Sequence, residues 1–410
     1  MLAKAMPACL YITRNGLLEP LGQSQVLAYL KGLSKSYRIS VITFEKADDW
    51  LNKAEIARVR EVCREHGIVW LPQRFQRRPK LLAPGFGMGW LLALTLREVR
   101  AGNVDLIHAR SYLPAIVALA AYKVAGVPFI FDMRALWPEE LITAGRLKRD
   151  SPLHRGLRWA EEACLRRASA TVSLTHAAVV YLRECYPHAL AEKEITVIPT
   201  CTDLGRFSYR PKLPAGPRVY GCVGTMLSGW FRIDWLGQFF AYVAQHDGEA
   251  RFEILTKDDI SAVTQSLAAS GVPLDRVTVA SVRPDEVAQR IRAHTVSAMF
   301  FTSGKSKLGS CPTRMGELLG SGIPIIANHG VGDVARIIQE YRVGVLLEAA
   351  TSEGMGAAWS ALNALLSDTE CPQRCREAAE AIFSLEAGIN AYSAVYKNVL
   401  RGSVFRAAES

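Results

Sequence analysis

No window of this 410-residue chain reaches the roughly 18–20 continuous apolar residues that a membrane-spanning helix needs. The nearest, Leu81 to Leu96, is interrupted by Pro84 and three glycines. No Asp-x-Asp occurs anywhere, so no metal is expected. Gly-x-Gly-x-x-Gly is missing after the first strand, which argues against a dinucleotide-dependent dehydrogenase. The 9 cysteines are an odd number, scattered, with no C-x-x-C spacing, and read as reduced thiols of a cytoplasmic protein without disulfide framework or zinc. Low-complexity tracts and solenoid-type repeats are lacking as well, and no obvious carboxylate pair suggests a glycoside hydrolase.

Half of the residues are apolar and 21% charged, the balance of a globular protein. The length suits two domains of about 200 residues, each able to bury its own core. The net charge of +10 is uneven: residues 1–205 hold 28 Lys/Arg against 19 Asp/Glu, the remainder 21 against 20. An anionic membrane surface or a pyrophosphate-bearing acceptor gives the first half a reason to be basic. Nucleic acid is disfavoured, since no recognition motif or basic tract interleaved with aromatics is present. Arg74, Arg77, Arg78 and Lys80 precede an apolar segment, a pattern suited to docking at a bilayer interface. Trp90 to Val99 reads as a core-facing helix. The apolar run in MLAKAMPACLYIT is too short for a signal peptide and flows into a strand.

The chain is organised around Thr302 to Val345. A buried strand, Val296 to Phe301, precedes it. Pro312 suits the first turn of a helix capped by Ser310 or Cys311. That helix should end at Gly320–Ser321–Gly322, before a strand from Ile323 to Ala327. Asp333 then caps another helix, and Val343 starts a further strand. Strand–helix–strand–helix–strand is the unit of a parallel sheet, and ligands sit outside the carboxyl ends of such strands. A helix beginning at Pro312 aims free N–H groups and its positive dipole end there. Lys305, Lys307 and Arg314 concentrate positive charge at the same place. Glu317, one turn in, accepts hydrogen bonds and suits the vicinal hydroxyls of a ribose. On residues alone the stretch fits a nucleotide-diphosphate pocket and an ordinary solvated helix start equally.

The segment Ser310–Cys311–Pro312–Thr313–Arg314–Met315–Gly316–Glu317, with Gly322–Ile323–Pro324–Ile325–Ile326, resembles the donor-site signature of retaining family 4 glycosyltransferases of the GT-B fold. Gly330–Val331–Gly332–Asp333–Val334 is similar to a polysaccharide-biosynthesis branch of that family. The resemblance implies that Glu317 binds the ribose. It also implies roles in donor binding for Ser310, Pro312, Thr313 and Arg314. The family's first Glu of E-x7-E should fall at position 309, where this chain has Gly309, so how donor sugar hydroxyls are held stays open.

Strands are expected at Ala8–Thr13, Arg38–Phe44, Gly67–Leu71, Val104–His108, Phe129–Phe131, Ser169–Thr175 and Ile195–Pro199. The loop Gly16 to Gln25 resembles the family's interdomain loop, with Gly16 near donor phosphates or acceptor. His108, at a strand's carboxyl end, can reach a crevice or be structural. In the family its D-x-x-H region lies on the acceptor side, and the usual second His is Arg110 here. Asp132–Met133–Arg134–Ala135–Leu136–Trp137–Pro138 resembles D-x-R-x-x-W-P, which implies that Asp132 and Arg134 line the active site. Ile198 to Phe207 looks like the segment closing the first domain. After Val219–Val223, Gly224 and Arg232 suit a phosphate, as does Lys257 after the strand Phe252–Thr256. A surface charge is the alternative reading of Arg232 and of Lys257.

The expected architecture is α/β, with two doubly wound Rossmann-like domains facing across a cleft. Residues 1–207 form an acceptor-side domain, with a helix at about 385–410 packing back on it. Residues 208–217 are a linker, and 218–384 bind the nucleotide sugar. The resemblance implies sugar transfer with retention from a nucleoside diphosphate sugar as co-substrate, without a metal or other cofactor. Arg232, Lys305, Lys307 and the Pro312 helix would hold the leaving diphosphate. A lipid-linked or glycan acceptor at the inner membrane face, for a surface polysaccharide, completes the expectation. Two alternatives stand beside it: a sugar-nucleotide epimerase of the same fold, and a non-catalytic sugar-nucleotide-binding protein.

Overall fold

The computed structural model describes residues 6–75, 83–102, 104–212, 214 and 216–408, with the side chains of 83–86 and 403–408 left aside. Arg77, Arg78 and Lys80 of the basic cluster lie outside the described residues, whereas Arg74 is exposed at a strand end. The chain forms two compact units. One comprises Met1–Ile198 with Glu386–Ser410, the other Pro199–Leu385. The first break therefore falls at Ile198, ahead of the Pro-rich stretch read from the sequence as a linker.

The first unit is built on β1 (Ala8–Ile12), β2 (Arg38–Glu45), β3 (Val69–Arg74), β4 (Leu106–Arg110), β5 (Phe129–Asp132), β6 (Ala170–Ser173) and β7 (Ile195–Val197). These pair in the order β3-β2-β1-β4-β5-β6-β7, every pair parallel. Register is set by burial. All five residues of β1 are buried, as expected for a strand covered on both faces. Leu10 sits between Ser40 and Ile107, and Tyr11 between Val41 and His108. The order reverses between β1 and β4, which makes the carboxyl ends of those two strands the switch point of the sheet.

Each expected strand exists, several with shifted ends. The second runs on to Glu45, and the fourth and fifth to Arg110 and Asp132. The last stops at Val197, because Pro199 cannot donate to a ladder. The helix after β1 starts at Pro20 and widens into a π turn over Gln23–Leu27 before Ala28–Leu33. The closing helix, Leu385–Ala408, lies against this sheet: Tyr37 Oη donates to Ser393 O (3.2 Å), and Ile389 fills the space beside Gly32.

The second unit holds β8 (Val219–Val223), β9 (Arg251–Leu255), β10 (Val277–Ala280), β11 (Val296–Met299), β12 (Ile325–Ala327) and β13 (Gly344–Leu346). The order is β10-β9-β8-β11-β12-β13, again all parallel, with the switch point between β8 and β11. Side chains alternate between two cores, the period of two that a strand imposes. Ile326, Ala298, Ile254 and Cys222 join Phe239 and Phe240 on one face. Ile325, Ala327, Met299 and Leu255 join Leu318, Ile337 and Phe383 on the other. Helices thus cover both faces, the doubly wound arrangement.

Candidate functional site

In the second unit, Gly224 follows β8 with φ +140°, a conformation that favours glycine. From there the chain runs to Arg232 and is zipped onto the end of β11. Thr302 N donates to Trp230 O (2.9 Å), and Arg232 N donates to Phe300 O (2.9 Å). Asn328, just past β12, accepts from Phe301 N at 2.8 Å and donates back to Phe301 O at 3.0 Å. These bonds bring Gly224, Trp230 and Arg232 beside the stretch that starts at Thr302.

Lys305 to Gly309 form a 3-10 turn. Lys305 is exposed. Lys307 is buried, its ammonium 3.5 Å from the centre of the Trp230 ring, a cation–π contact. Gly309 is buried at the turn's end. The next helix spans Thr313–Gly320. Pro312 itself occupies the N-cap, with no side-chain capping bond, so the expectation of Ser310 or Cys311 as cap and Pro312 inside the first turn is corrected. The reason lies in the residues that open the second unit: Thr200 Oγ1 donates to Cys311 O at 3.1 Å and Cys311 Sγ is 3.1 Å from the same hydroxyl, which ties this segment down in extended form. Ser310 and Thr313 stay half-buried beside the uncapped N–H groups.

Glu317 is paired with Arg314 through Oε2. Burial pushes its carboxyl upward, while Arg314 pulls it back. Oε1 takes no hydrogen bond among the described residues, leaving acceptor capacity at the site. Arg232 is engaged as well: its guanidinium pairs with Asp234 at 2.7 Å and lies 4.7 Å from the Trp235 ring centre. Lys257 is exposed just beyond β9. The second unit therefore gathers Gly224, Arg232, Lys257, Lys305, Lys307, Ser310, Pro312, Thr313, Arg314 and Glu317 at the carboxyl ends of its strands.

The first unit gathers His108, Asp132 and Arg134. His108, expected at the strand's carboxyl end, is instead buried in the middle of β4 because the strand runs on to Arg110, with Nε2 3.2 Å from Asp132 Oδ2 and Nδ1 2.8 Å from Tyr396 Oη. Burial drives its pKa down against the opposing pull of Asp132, so the ring is neutral at pH 7. For Asp132, burial works to raise the carboxyl, but Arg134, the His108 bond and Arg110 together hold it well below the usual carboxylate range. Arg134 Nη1 donates to Asp132 Oδ1 (3.4 Å) and Tyr392 Oη (3.2 Å). The closing helix supplies both tyrosines.

Gly16 is explained by packing. An added Cβ would lie 2.2 Å from Glu45 Oε2. That buried carboxylate accepts from Leu17 N (2.9 Å), Leu18 N (3.1 Å) and Thr43 Oγ1 (2.6 Å), and so shapes the whole loop after β1. Sequence reasoning missed Glu45, Trp230 and Asn328. The signal available for Glu45 was an acid closing an apolar strand.

Two doubly wound parallel sheets with flanking helices match the GT-B fold class. Three solved structures agree over nearly the whole chain. They are HepE of Anabaena, in a complex with UDP and glucose (17% identity, TM-score 0.64, covering 95% of this chain and 99% of that one), a glycosyltransferase of Rickettsia africae (14%, 0.69, 97% and 99%), and WaaG, a glycosyltransferase involved in lipopolysaccharide biosynthesis (12%, 0.62, 93% and 98%). At these identities the likeness establishes the fold. No curated protein matches the chain in sequence. Residues 22–206, most of the first unit, match the model described as Glycosyltransferase Family 4.

Proposed function

We propose that the protein is a retaining glycosyltransferase that moves a sugar from a nucleoside diphosphate sugar to a lipid-linked or glycan acceptor in surface polysaccharide synthesis. One observation carries this reading: Glu317 keeps a free carboxylate oxygen beside an uncapped helix start, with Arg232 and Lys307 at the same switch point. In this proposal Glu317 binds the ribose. Arg232, Lys305, Lys307 and the Thr313 N-terminus stabilise the departing diphosphate, where preorganised donors are worth most. Gly224 lets the backbone approach the phosphates, and Lys257 adds long-range attraction. His108, Asp132 and Arg134 serve the acceptor side. The missing Asp-x-Asp motivates a metal-independent mechanism without other cofactors. The basic first half motivates work at the inner membrane face, where neutralising Arg74, Arg77, Arg78 and Lys80 should weaken binding to anionic vesicles; unchanged binding removes that patch from the account.

The donor relationship of the solved neighbours supports the choice of nucleotides to test. Thermal melting with UDP, GDP and ADP should show a specific gain for one of them, lost in Glu317→Ala. No gain with any of them would mean that the organising stretch is structural. Gly309, in place of the family's acid, favours one second reading, a sugar-nucleotide-binding protein without turnover. That protein would bind nucleotide and release none from a sugar donor.

A further inference from the structure

The acceptor-side cluster of the first unit carries more positive charge than its partners neutralise. Arg110 ends β4, and its side chain is buried. Its hydrogen bond goes from Nη1 to Asn15 Oδ1 (3.1 Å), a neutral partner. Arg134, one strand over, is largely buried and shares Asp132 with His108. The Nε–H of each guanidinium is buried without a partner. Two fixed cations therefore stand against one carboxylate, and a desolvated charge without a counter-ion is among the most expensive features a fold can hold.

The place is as telling as the charge. Asn15 follows β1 and Arg110 ends β4, so they straddle the switch point of the first sheet. The next residue, Ser111, is held at φ +79°, in a region where a non-glycine backbone is strained. Ser111 caps the helix Tyr112–Ala125 without a side-chain capping bond, while its own N–H is spent on Asp132 O at 2.8 Å. That bond locks the corner of β4 to β5, the two adjacent strands that carry Arg110 and lead into Arg134. Arg in such a setting suits the fork geometry of phosphate oxygens.

We propose that Arg110 and Arg134, positioned by Asn15 and Asp132, form an oxyanion site that takes the diphosphate of the acceptor. The acceptor assignment rests on the transferase reading above; the anion site itself does not. The chemistry of a diphosphate is shared by a lipid-linked acceptor and by the nucleotide, and binding experiments separate the two.

Inorganic pyrophosphate is titrated calorimetrically, at fixed ionic strength, into wild type, Arg110→Gln, Arg110→Lys and Glu317→Ala. The site predicts binding in wild type and Glu317→Ala. It predicts a loss of about tenfold or more in Arg110→Gln, and a smaller loss in Arg110→Lys, which keeps charge without the fork. A prenyl diphosphate should displace pyrophosphate, whereas UDP, GDP and ADP should not. Unchanged binding in Arg110→Gln would overturn the site. Displacement by a nucleotide in wild type but not in Glu317→Ala would assign the anion to the donor and overturn the acceptor assignment. Nucleotide stabilisation of Arg110→Gln controls for folding, and its loss in Glu317→Ala tests the donor pocket separately.

Discussion

His108 and Asp132 each tie the stability of the first unit to pH. Burial lowers the pKa of His108 below its unfolded value of about 6.5, so the unfolded chain takes up the proton first as pH falls. Stability is therefore lost as pH drops below about 6.5. Asp132, held below its unfolded value by Arg134, contributes stability that is present above about pH 4 and lost below it. Denaturation midpoints of His108→Gln should change less between pH 7 and pH 5 than those of wild type; equal slopes would show that His108 does not carry this dependence. Gly16 is a second residue-scale case. Gly16→Ala drives a methyl into the Glu45 carboxylate, and should lower stability by about 1–3 kcal/mol in urea unfolding. Combining it with Glu45→Ala should be less than additive, because both act on one loop.

The helix Thr313–Gly320 depends on close contact as much as on its termini. A Cβ on Gly316 would lie 2.8 Å from Phe383 Cβ and 2.8 Å from Thr202 Oγ1. Gly316→Ala must shift that helix, which also bears Glu317. It should melt at lower temperature by a few degrees and gain less from nucleotide than wild type. An unchanged melting curve with full nucleotide gain would mean the contact gives way freely. This element was legible in sequence because Pro312, the apolar spacing and the Gly320–Ser321–Gly322 exit all act locally. The pairing of Glu317 with Arg314 and the stacking of Lys307 on Trp230 were not legible. Both depend on which of several nearby partners a charged side chain meets once the backbone is folded, and Trp230 lies far from Lys307 along the chain. Glu45 escaped for the same reason: its partners, Leu17 and Leu18, belong to a loop whose path the carboxylate itself fixes.

Across the whole molecule, the alternation of strand and helix made the doubly wound class legible. All strand pairs being parallel follows from the helical crossovers between them. The least legible feature was the closing helix, whose sequence does not announce that Tyr392 and Tyr396 finish the buried cluster around His108 and Arg134. Ending the chain at Ser384 should therefore expose that cluster and destabilise the first unit, seen as a broadened or earlier melting transition. A transition identical to that of the full chain would show that the tyrosines are dispensable. No helix among the described residues is long and apolar enough to cross a membrane.

The central claim is acceptor-dependent sugar transfer, and release of nucleoside diphosphate from the matching sugar donor tests it most directly. The account predicts release that is slow with donor alone and rises steeply when membranes bearing lipid-linked acceptors are added, with Arg232→Ala slower by about 10²–10³-fold. Conversion of the donor sugar without any acceptor, or binding of donor with no release under either condition, would contradict it.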